Sequence, residues 1–139
     1  MTNQLILEMS VALYNDTISG YVSTEDVYVP MEITRLNVQS ELFVSRFRYV
    51  LATAIRIIYP TYLLYCDAKG ADFSSIDEDL PTMSAECLLG ERFTVAVAAL
   101  CCYLMFGDAQ HYDLFLSELG KIKSEIPAKI TACTDVYGA

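Results

Sequence analysis

Residues 84–107 read SAECLLGERFTVAVAALCCYLMFG, and this stretch decides the fold. No charged residue occurs between Arg92 and Asp108. The larger apolar side chains recur at helical spacing, and the positions between them are mostly small or soft. A helix that is apolar on every side is buried on every side. We therefore expect one helix over 84–107, capped by Ser84, at the centre of the core.

Both ends of this predicted helix carry terminal signals. Glu86 falls in the expected first turn, where a carboxylate suits the helix dipole. Gly90 is expected inside the helix, where it would let a neighbouring helix approach closely. Gly107, followed by Asp108, closes the helix.

The composition points to a protein that binds other subunits. A chain of 139 residues makes about one domain. Hydrophobic residues make up 54% and charged residues 19%, against usual values of about 45–50% and about 25%. A monomer of this size has trouble hiding so much apolar surface, so we expect an oligomer or a complex.

The charge balance argues against a general nucleic-acid binder. The chain carries 18 acidic and 9 basic residues, for a formal charge of −9, whereas nucleic-acid binders show a basic excess or a basic face. Four of the five arginines lie between Arg35 and Arg56. A local basic patch there remains an alternative to a solvated helix face.

The cysteines predict reduced, structural thiols rather than a metal site. Five cysteines, an odd number, show no CxxC spacing. Zinc needs about four placed ligands, and His111 is the single histidine. Cys101 and Cys102 fall in the most apolar helix, where cysteine acts as a small hydrophobe. We expect no metal and no cofactor. Cysteine–histidine catalysis would require one of the other thiols, Cys66, Cys87 or Cys133, to lie close to the imidazole of His111.

No segment reads as a membrane or secretory signal. The opening MTNQLILEMS lacks a basic region. The uncharged run after Arg92 is 15 residues, short of the roughly 20 that span a bilayer. We expect a soluble protein without a membrane partner.

The first half of the chain predicts two helices joined by an irregular segment. Residues 4–14 fit both helical and strand spacing, and their composition favours a helix that Asn15 and Asp16 interrupt. Residues 15–34 are expected to be irregular or partly β, with 27–29 extended before a proline. A long helix is expected from about Arg35.

The long helix carries its own stop signals. Pro60 is expected to kink or end it, because proline removes a donor and clashes with the preceding turn. One or two more turns should follow until Lys69, with Gly70 in a left-handed cap. The acidic stretch 67–81 lacks the spacing of a calcium loop and is interpreted as a solvated linker.

The last helix is expected to begin at Asp108 as its cap and to stop at Pro127. His111 lies in its first turn, which predicts a surface or capping role. Its apolar face is predicted from helical spacing: Tyr112, Phe115, Leu116, Leu119, Ile122 and Ile126. The sequence thus predicts an all-α bundle of about four helices over residues 1–126, with an extended arm over 127–139.

The order of parts resembles a known family of structural proteins. The likeness is carried by residues 54–105, AIRIIYPTYLLYCDAKGADFSSIDEDLPTMSAECLLGERFTVAVAALCCYLM, in which a long helix, an acidic loop and a capped apolar helix follow each other. This layout resembles the small helical head–tail connector proteins, or adaptors, of tailed bacteriophages. The irregular segment 15–34 is longer than the family pattern.

The resemblance implies a virion protein without catalytic residues. It implies a homo-oligomeric ring between the portal and the next neck or tail protein, made in the host cytoplasm and placed in the neck, with DNA only as passing cargo. The alternatives are a small intracellular helical binding or regulatory module and, behind it, a cysteine-dependent enzyme.

The resemblance also implies that the carboxy-terminal arm docks on the portal. A frayed terminus is the alternative from composition alone, whereas an apolar extended segment finds a groove or sheet edge elsewhere. The expected partner-binding residues lie in this arm: Pro127, Lys129, Ile130, Val136 and Tyr137.

Overall fold

The computed structural model describes residues 1–19, 40–76 and 78–127. Within these ranges the chain forms four α-helices and one short 3-10 helix. The helices are α1 (Asn3–Ser19), α2 (Glu41–Lys69), α3 (Thr94–Phe106) and α4 (Ala109–Ser124), with the 3-10 turn at Glu91–Phe93. Apart from one β-bridge between Thr2 and Glu86, the described residues contain no β structure. The predicted small all-α bundle is confirmed.

Helix α3 lies at the centre of the bundle. Each of the other three helices packs on it. All residues from Ala96 to Cys102 are buried, so the prediction of a helix covered on every side holds for this middle section. Its two ends are more open, because Val95 and Leu104 are each 37% exposed.

The prediction of one helix over 84–107 is wrong for its first ten residues. Ser84 lies in a turn and caps nothing, and residues 83–87 instead run beside the start of the chain. The Asn3 amide donates to the Ala85 carbonyl and the Cys87 amide donates to the Met1 carbonyl, both at 2.9 Å. These backbone bonds replace the helical ones that the pattern predicted.

Gly90 marks the point where helical structure begins, with the 3-10 turn Glu91–Phe93. Its φ of 78° and ψ of 178° lie in a region that favours glycine, so Gly90 ends the irregular segment rather than sitting inside a helix. The expected close approach of a helix is also wrong, since the space around its Cα is open. The following turn is fixed by Arg92, which pairs with Glu125 at 2.9 Å and thereby lowers the pKa of that carboxyl.

The end of α3 follows its sequence signals. Gly107 adopts the left-handed conformation with φ 74°, and its amide donates to the Tyr103 carbonyl. Asp108 then caps α4 by accepting a hydrogen bond from the Gln110 amide at 2.8 Å. Both predicted signals are confirmed.

Helix α1 is confirmed, and it runs further than expected. Asn15 and Asp16 do not interrupt it. The buried positions are Asn3, Ile6, Leu7, Ser10 and Val11, whereas Leu5 is 47% exposed. The Ser10 hydroxyl lies at hydrogen-bond distance from two carbonyls, Ile6 at 2.9 Å and Ala98 of α3 at 3.1 Å.

Helix α2 passes through Pro60 without ending. It continues for nine residues to Lys69 and closes on Gly70 with φ 65°, as the cap signal predicts. Pro60 and Arg56 are exposed, so water can bond the carbonyl that the proline leaves without a helical partner.

Helix α2 is also long and apolar enough to cross a membrane by length and composition alone. Its most apolar window has a mean hydropathy of 1.2 and is 39% buried within the bundle. Core helices of soluble proteins meet the same criterion.

Several predictions lie outside the described residues. These are the irregular connection from residue 20 to 34, Asp77 of the acidic loop, Cys133, and four residues of the arm: Lys129, Ile130, Val136 and Tyr137. The prediction that the long helix starts at about Arg35 is wrong, because the helix begins at Glu41 after Ser40 in an extended conformation. Pro127 is described. It is exposed and follows the end of α4.

Candidate functional site

An apolar groove opens where the start of α2 meets the end of α3. It has a volume of about 450 Å³, and four of its lining residues come from α2 and three from α3. We call it the α2–α3 groove, lined by Phe43, Arg46, Tyr49, Val50, Leu104, Met105 and Phe106. It is the candidate site because apolar side chains line a surface that the described residues leave open.

The helical repeat of α2 places these side chains. Phe47 and Leu51 point into the core and are fully buried. Phe43 and Val50 lie at the edge of that face and are half-buried. Arg46 and Tyr49 stand one step further round the helix, where Tyr49 is 62% exposed. On the α2 side, the groove is therefore lined by residues at the edge of the core-facing stripe of that helix.

The α3 side of the groove is held by an aromatic stack. The rings of Phe106 and Tyr14 of α1 are stacked, with centroids 4.0 Å apart and planes 22° from parallel. Leu104 in the last turn of α3 is 37% exposed, whereas the sequence predicts a helix buried on every side.

A second exposed surface lies at the far end of α2. We call it the acidic tip, and it comprises Asp67, Asp72 and Phe73, all exposed. Phe73 is 60% exposed. The expectation of a solvated connection is confirmed for its described residues after α2, although Asp67 belongs to the helix itself.

The acidic tip is held in place by hydrogen bonds to α2. The Ser74 amide donates to the Tyr62 hydroxyl and the Tyr59 hydroxyl donates to the Ser74 carbonyl, both at 2.9 Å. Arg48 donates to the Pro81 carbonyl at 2.8 Å further along the connection. Phe73 is therefore presented outward on anchored backbone.

A smaller groove of about 290 Å³ lies between α1, α2 and residues 76–88. Asn3 borders it and donates from Nδ2 to the Thr82 carbonyl at 2.8 Å. Its Oδ1 has no hydrogen-bond partner among the described residues and is shielded from solvent. Because that atom is covered, a ligand in the groove does not reach it without a side-chain rotation.

His111 is buried, which corrects the predicted surface role. It is 3% exposed, and its Nε2 lies 3.3 Å from the Leu13 carbonyl of α1. Its Nδ1 lies 3.9 Å from an oxygen of Asp108, the cap of α4. The imidazole therefore contributes to the packing of α4 on α1.

The buried face of α4 includes His111 and is rotated about the helix axis relative to the predicted face. Its buried residues are His111, Phe115 and Ile122, whereas Tyr112 and Leu116, predicted on the inner face, are 38% and 48% exposed. The prediction chose the wrong face of α4 because a pattern of hydrophobicity alone does not place His111 inside.

The described thiols are free and buried: Cys66, Cys87, Cys101 and Cys102. Burial raises the pKa of Cys87 and Cys101 above the usual range and raises the pKa of Cys102 to about 12. A thiol acts as a nucleophile only when ionised, so these three stay protonated near neutral pH. No group of three or more His, Cys, Asp or Glu side chains within the described ranges is placed to hold a metal.

Sequence reasoning placed the binding residues in the carboxy-terminal arm and missed the α2–α3 groove. Arg46 and Tyr49 lie outside the apolar stripe of α2, and nothing local marks them as functional. The available signal was an aromatic residue outside the core-facing stripe of α2.

Comparisons with protein-family models, curated proteins and solved structures found no match to this chain.

Proposed function

We propose that this chain is a structural subunit of a head–tail connector, or adaptor, ring in a tailed bacteriophage. It acts without catalysis, as a spacer between the portal and the next neck or tail protein. The observation that carries the proposal is the α2–α3 groove, which the described residues leave open, together with exposed apolar side chains along α2. An oligomer covers such surface at contacts between subunits.

The charge of the chain supports a role beside passing DNA. A formal charge of −9 gives a surface that repels phosphates on average. A channel that lets DNA slide needs weak contacts rather than the phosphate-neutralising contacts of a DNA-binding protein. In this proposal DNA is cargo and not a ligand.

The state of the thiols supports the absence of covalent catalysis. Cys101 and Cys102 are enclosed in the core helix, and their pKa values are raised by burial. They serve as small apolar side chains in the packing of α3. Ring assembly requires no reactive group.

The arm over residues 127–139 is proposed to dock on the portal. Pro127 is exposed at the end of α4, so the chain leaves the bundle at its surface. The residues proposed to contact the partner are Pro127, Lys129, Ile130, Val136 and Tyr137.

Analysis of purified phage particles tests the proposal. The chain should be a stoichiometric component of intact tailed particles, and cryo-electron microscopy should place it in the neck. Deletion of residues 128–139 should leave the helical circular dichroism unchanged and abolish attachment. A chain absent from purified particles would refute the connector function, and normal attachment of the truncated chain would refute the role of the arm.

A small intracellular binding module is the second candidate, and the groove beside Asn3 favours it. That groove combines apolar side chains such as Ile55 and Leu88 with the polar Arg56 and Asp79. A binding module remains monomeric and absent from particles, so the same particle analysis separates the two candidates.

A further inference from the structure

The α2–α3 groove and the acidic tip lie at opposite ends of one helix. Arg46 lines the groove and Asp67 belongs to the tip, and 21 residues of continuous helix separate them. At ~1.5 Å per residue this corresponds to roughly 32 Å, and Tyr62, which hydrogen-bonds Ser74 beside Phe73, lies roughly 20 Å along α2 from Tyr49. The two surfaces therefore cannot meet within one copy of the folded bundle.

The groove is a concavity, and the tip carries an exposed apolar side chain. The groove is a concave surface of about 450 Å³ bordered by Tyr49 and Leu104. The tip presents Phe73, an aromatic ring that is 60% exposed on anchored backbone. An aromatic anchor that enters an apolar pocket is the usual centre of a protein interface.

The two surfaces are complementary in charge. Arg46 is an exposed cation and contributes the basic group of the groove. Asp72 precedes Phe73 and is exposed. A guanidinium and a carboxylate form charge-assisted hydrogen bonds when they meet. In a chain with twice as many acidic as basic residues, this pairing also selects which surfaces meet, since most other encounters are repulsive.

We infer that the acidic tip of one copy docks in the α2–α3 groove of the next copy. Phe73 enters the groove between Tyr49 and Leu104, and the Asp72 carboxylate pairs with the Arg46 guanidinium. The inference rests on the proposed ring function, for which it supplies the contact between subunits.

The contact joins two different surfaces, and the ring uses it head to tail, as a heterologous contact. Each copy in a pair keeps one groove or one tip unused, so a third copy can add at either end. Such a contact gives a closed ring when the rotation between neighbours closes, and a filament when it does not. Two antiparallel copies related by a two-fold axis can make the contact twice and leave no surface free, so the ring contact requires that wild type grows beyond dimers.

Three matched variants test the inference. Tyr49→Glu changes the groove, Phe73→Glu changes the tip, and Leu116→Glu adds the same charge at an exposed apolar residue of α4 that lies outside both surfaces. Sedimentation velocity over a range of concentrations measures association. Wild type and Leu116→Glu should associate alike, whereas each of the other two should associate at least about tenfold more weakly. Circular dichroism and urea unfolding of all three should match wild type.

Mixing the variants tests the heterologous geometry. Tyr49→Glu keeps an intact tip and Phe73→Glu keeps an intact groove, so an equimolar mixture retains one productive contact per pair. The mixture should form dimers that contain one copy of each variant and should go no further. Wild type supplies the comparison, because a reciprocal two-fold pair stops at dimers whereas the head-to-tail contact takes wild type to larger species.

A charge exchange tests the ion pair. Arg46→Asp and Asp72→Arg should each weaken association, and the double variant should recover most of it because the pair is restored with reversed sign. Equal loss in the single and double variants would refute the pairing.

Several outcomes overturn the inference. One is a wild type that stays monomeric at every concentration, and another is association that neither Tyr49→Glu nor Phe73→Glu weakens. A fall in the unfolding midpoint on Tyr49→Glu would mean that the groove is covered within the copy. These outcomes are distinct from failure of the connector function, which is decided by the presence of the chain in particles.

Discussion

Helices α2 and α3 use apolar residues in opposite ways. Helix α2 has 29 residues, of which eight are buried, whereas α3 has 13 residues and also buries eight. The shorter helix is enclosed by three neighbours, and the longer one lies along one side of the bundle.

The difference separates stability from recognition. A side chain of α3 contacts other helices in most directions, so its loss leaves a cavity that the fold cannot easily fill. The outer face of α2 carries Tyr49, Ile57 and Leu64, each at least half exposed, and these contribute little to folding. The same residue types therefore have different roles according to their position.

The largest expected effect is that of Leu100→Ala in α3. Leu100 is 2% exposed, and loss of a buried leucine costs about 2–5 kcal/mol, a large part of a total of ~5–15 kcal/mol. Urea unfolding followed by circular dichroism measures it. Leu64→Ala on the outer face of α2 is the control and should change the free energy of unfolding by less than about 0.5 kcal/mol. A small effect at Leu100 would mean that α3 does not hold the core together.

The thiols of α3 give the next effect, which depends on pH. Burial raises the pKa of Cys101 and raises that of Cys102 to about 12, whereas an unfolded thiol ionises near ~8.5. The native state keeps its protons while the unfolded state releases them, so stability is fully present below ~8.5 and falls as pH rises above it. The slope is about 1.4 kcal/mol per pH unit for each thiol.

Urea titrations at pH 8 and 9.5 measure this loss. The double variant Cys101→Ala/Cys102→Ala should show a flatter dependence whatever its absolute stability. Intact mass with and without a thiol-blocking reagent should also show five reduced thiols after denaturation. A disulfide mass deficit in fresh protein, or an unchanged pH dependence in the double variant, would contradict this view of the thiols.

The sequence was sufficient to predict the four helices and where α2 and α3 end, but insufficient to predict where α2 and α3 begin and which faces the helices bury. Gly70, Gly107 and Asp108 mark helix ends through local geometry, and local geometry is encoded by the residue itself. The stretch from Ser84 to Gly90 also carried helical signals. There, pairing with the first residues of the chain determined the structure, and such a distant partner leaves no local pattern.

Burial of polar residues was the second source of error. Ser10 and His111 are buried because carbonyls of other elements lie within reach, Ala98 for the serine and Leu13 for the histidine. A pattern of hydrophobicity places such residues outside. The α2–α3 groove was missed for a related reason, since it is formed by two helix ends that only the fold brings together.

Replacement of the glycines that end α2 and α3 should lower the free energy of unfolding by similar amounts, although the two helices differ in burial. Gly70 has φ 65° and Gly107 has φ 74°, and a residue with a Cβ is strained there by roughly 1–2 kcal/mol. Gly70→Ala and Gly107→Ala should each lower the free energy of unfolding by about 1 kcal/mol. Gly120→Ala, inside α4 with open space around it, should instead stabilise by about 0.5–1 kcal/mol. A gain at either helix end would contradict the left-handed caps.

The smallest effect on folding is expected at the surface residues of α2. Tyr49 and Ile57 are 62% and 50% exposed, and both lie on the same long helix, but only Tyr49 borders the groove. Tyr49→Ser and Ile57→Ser should each change the free energy of unfolding by less than about 0.5 kcal/mol, measured at a concentration where the chain is monomeric. At higher concentration the two should diverge: Tyr49→Ser should weaken association and Ile57→Ser should not. Equal behaviour of the two at every concentration would mean that the groove has no role beyond that of any exposed helix face, and a large loss of stability at Tyr49 would place that ring in the core.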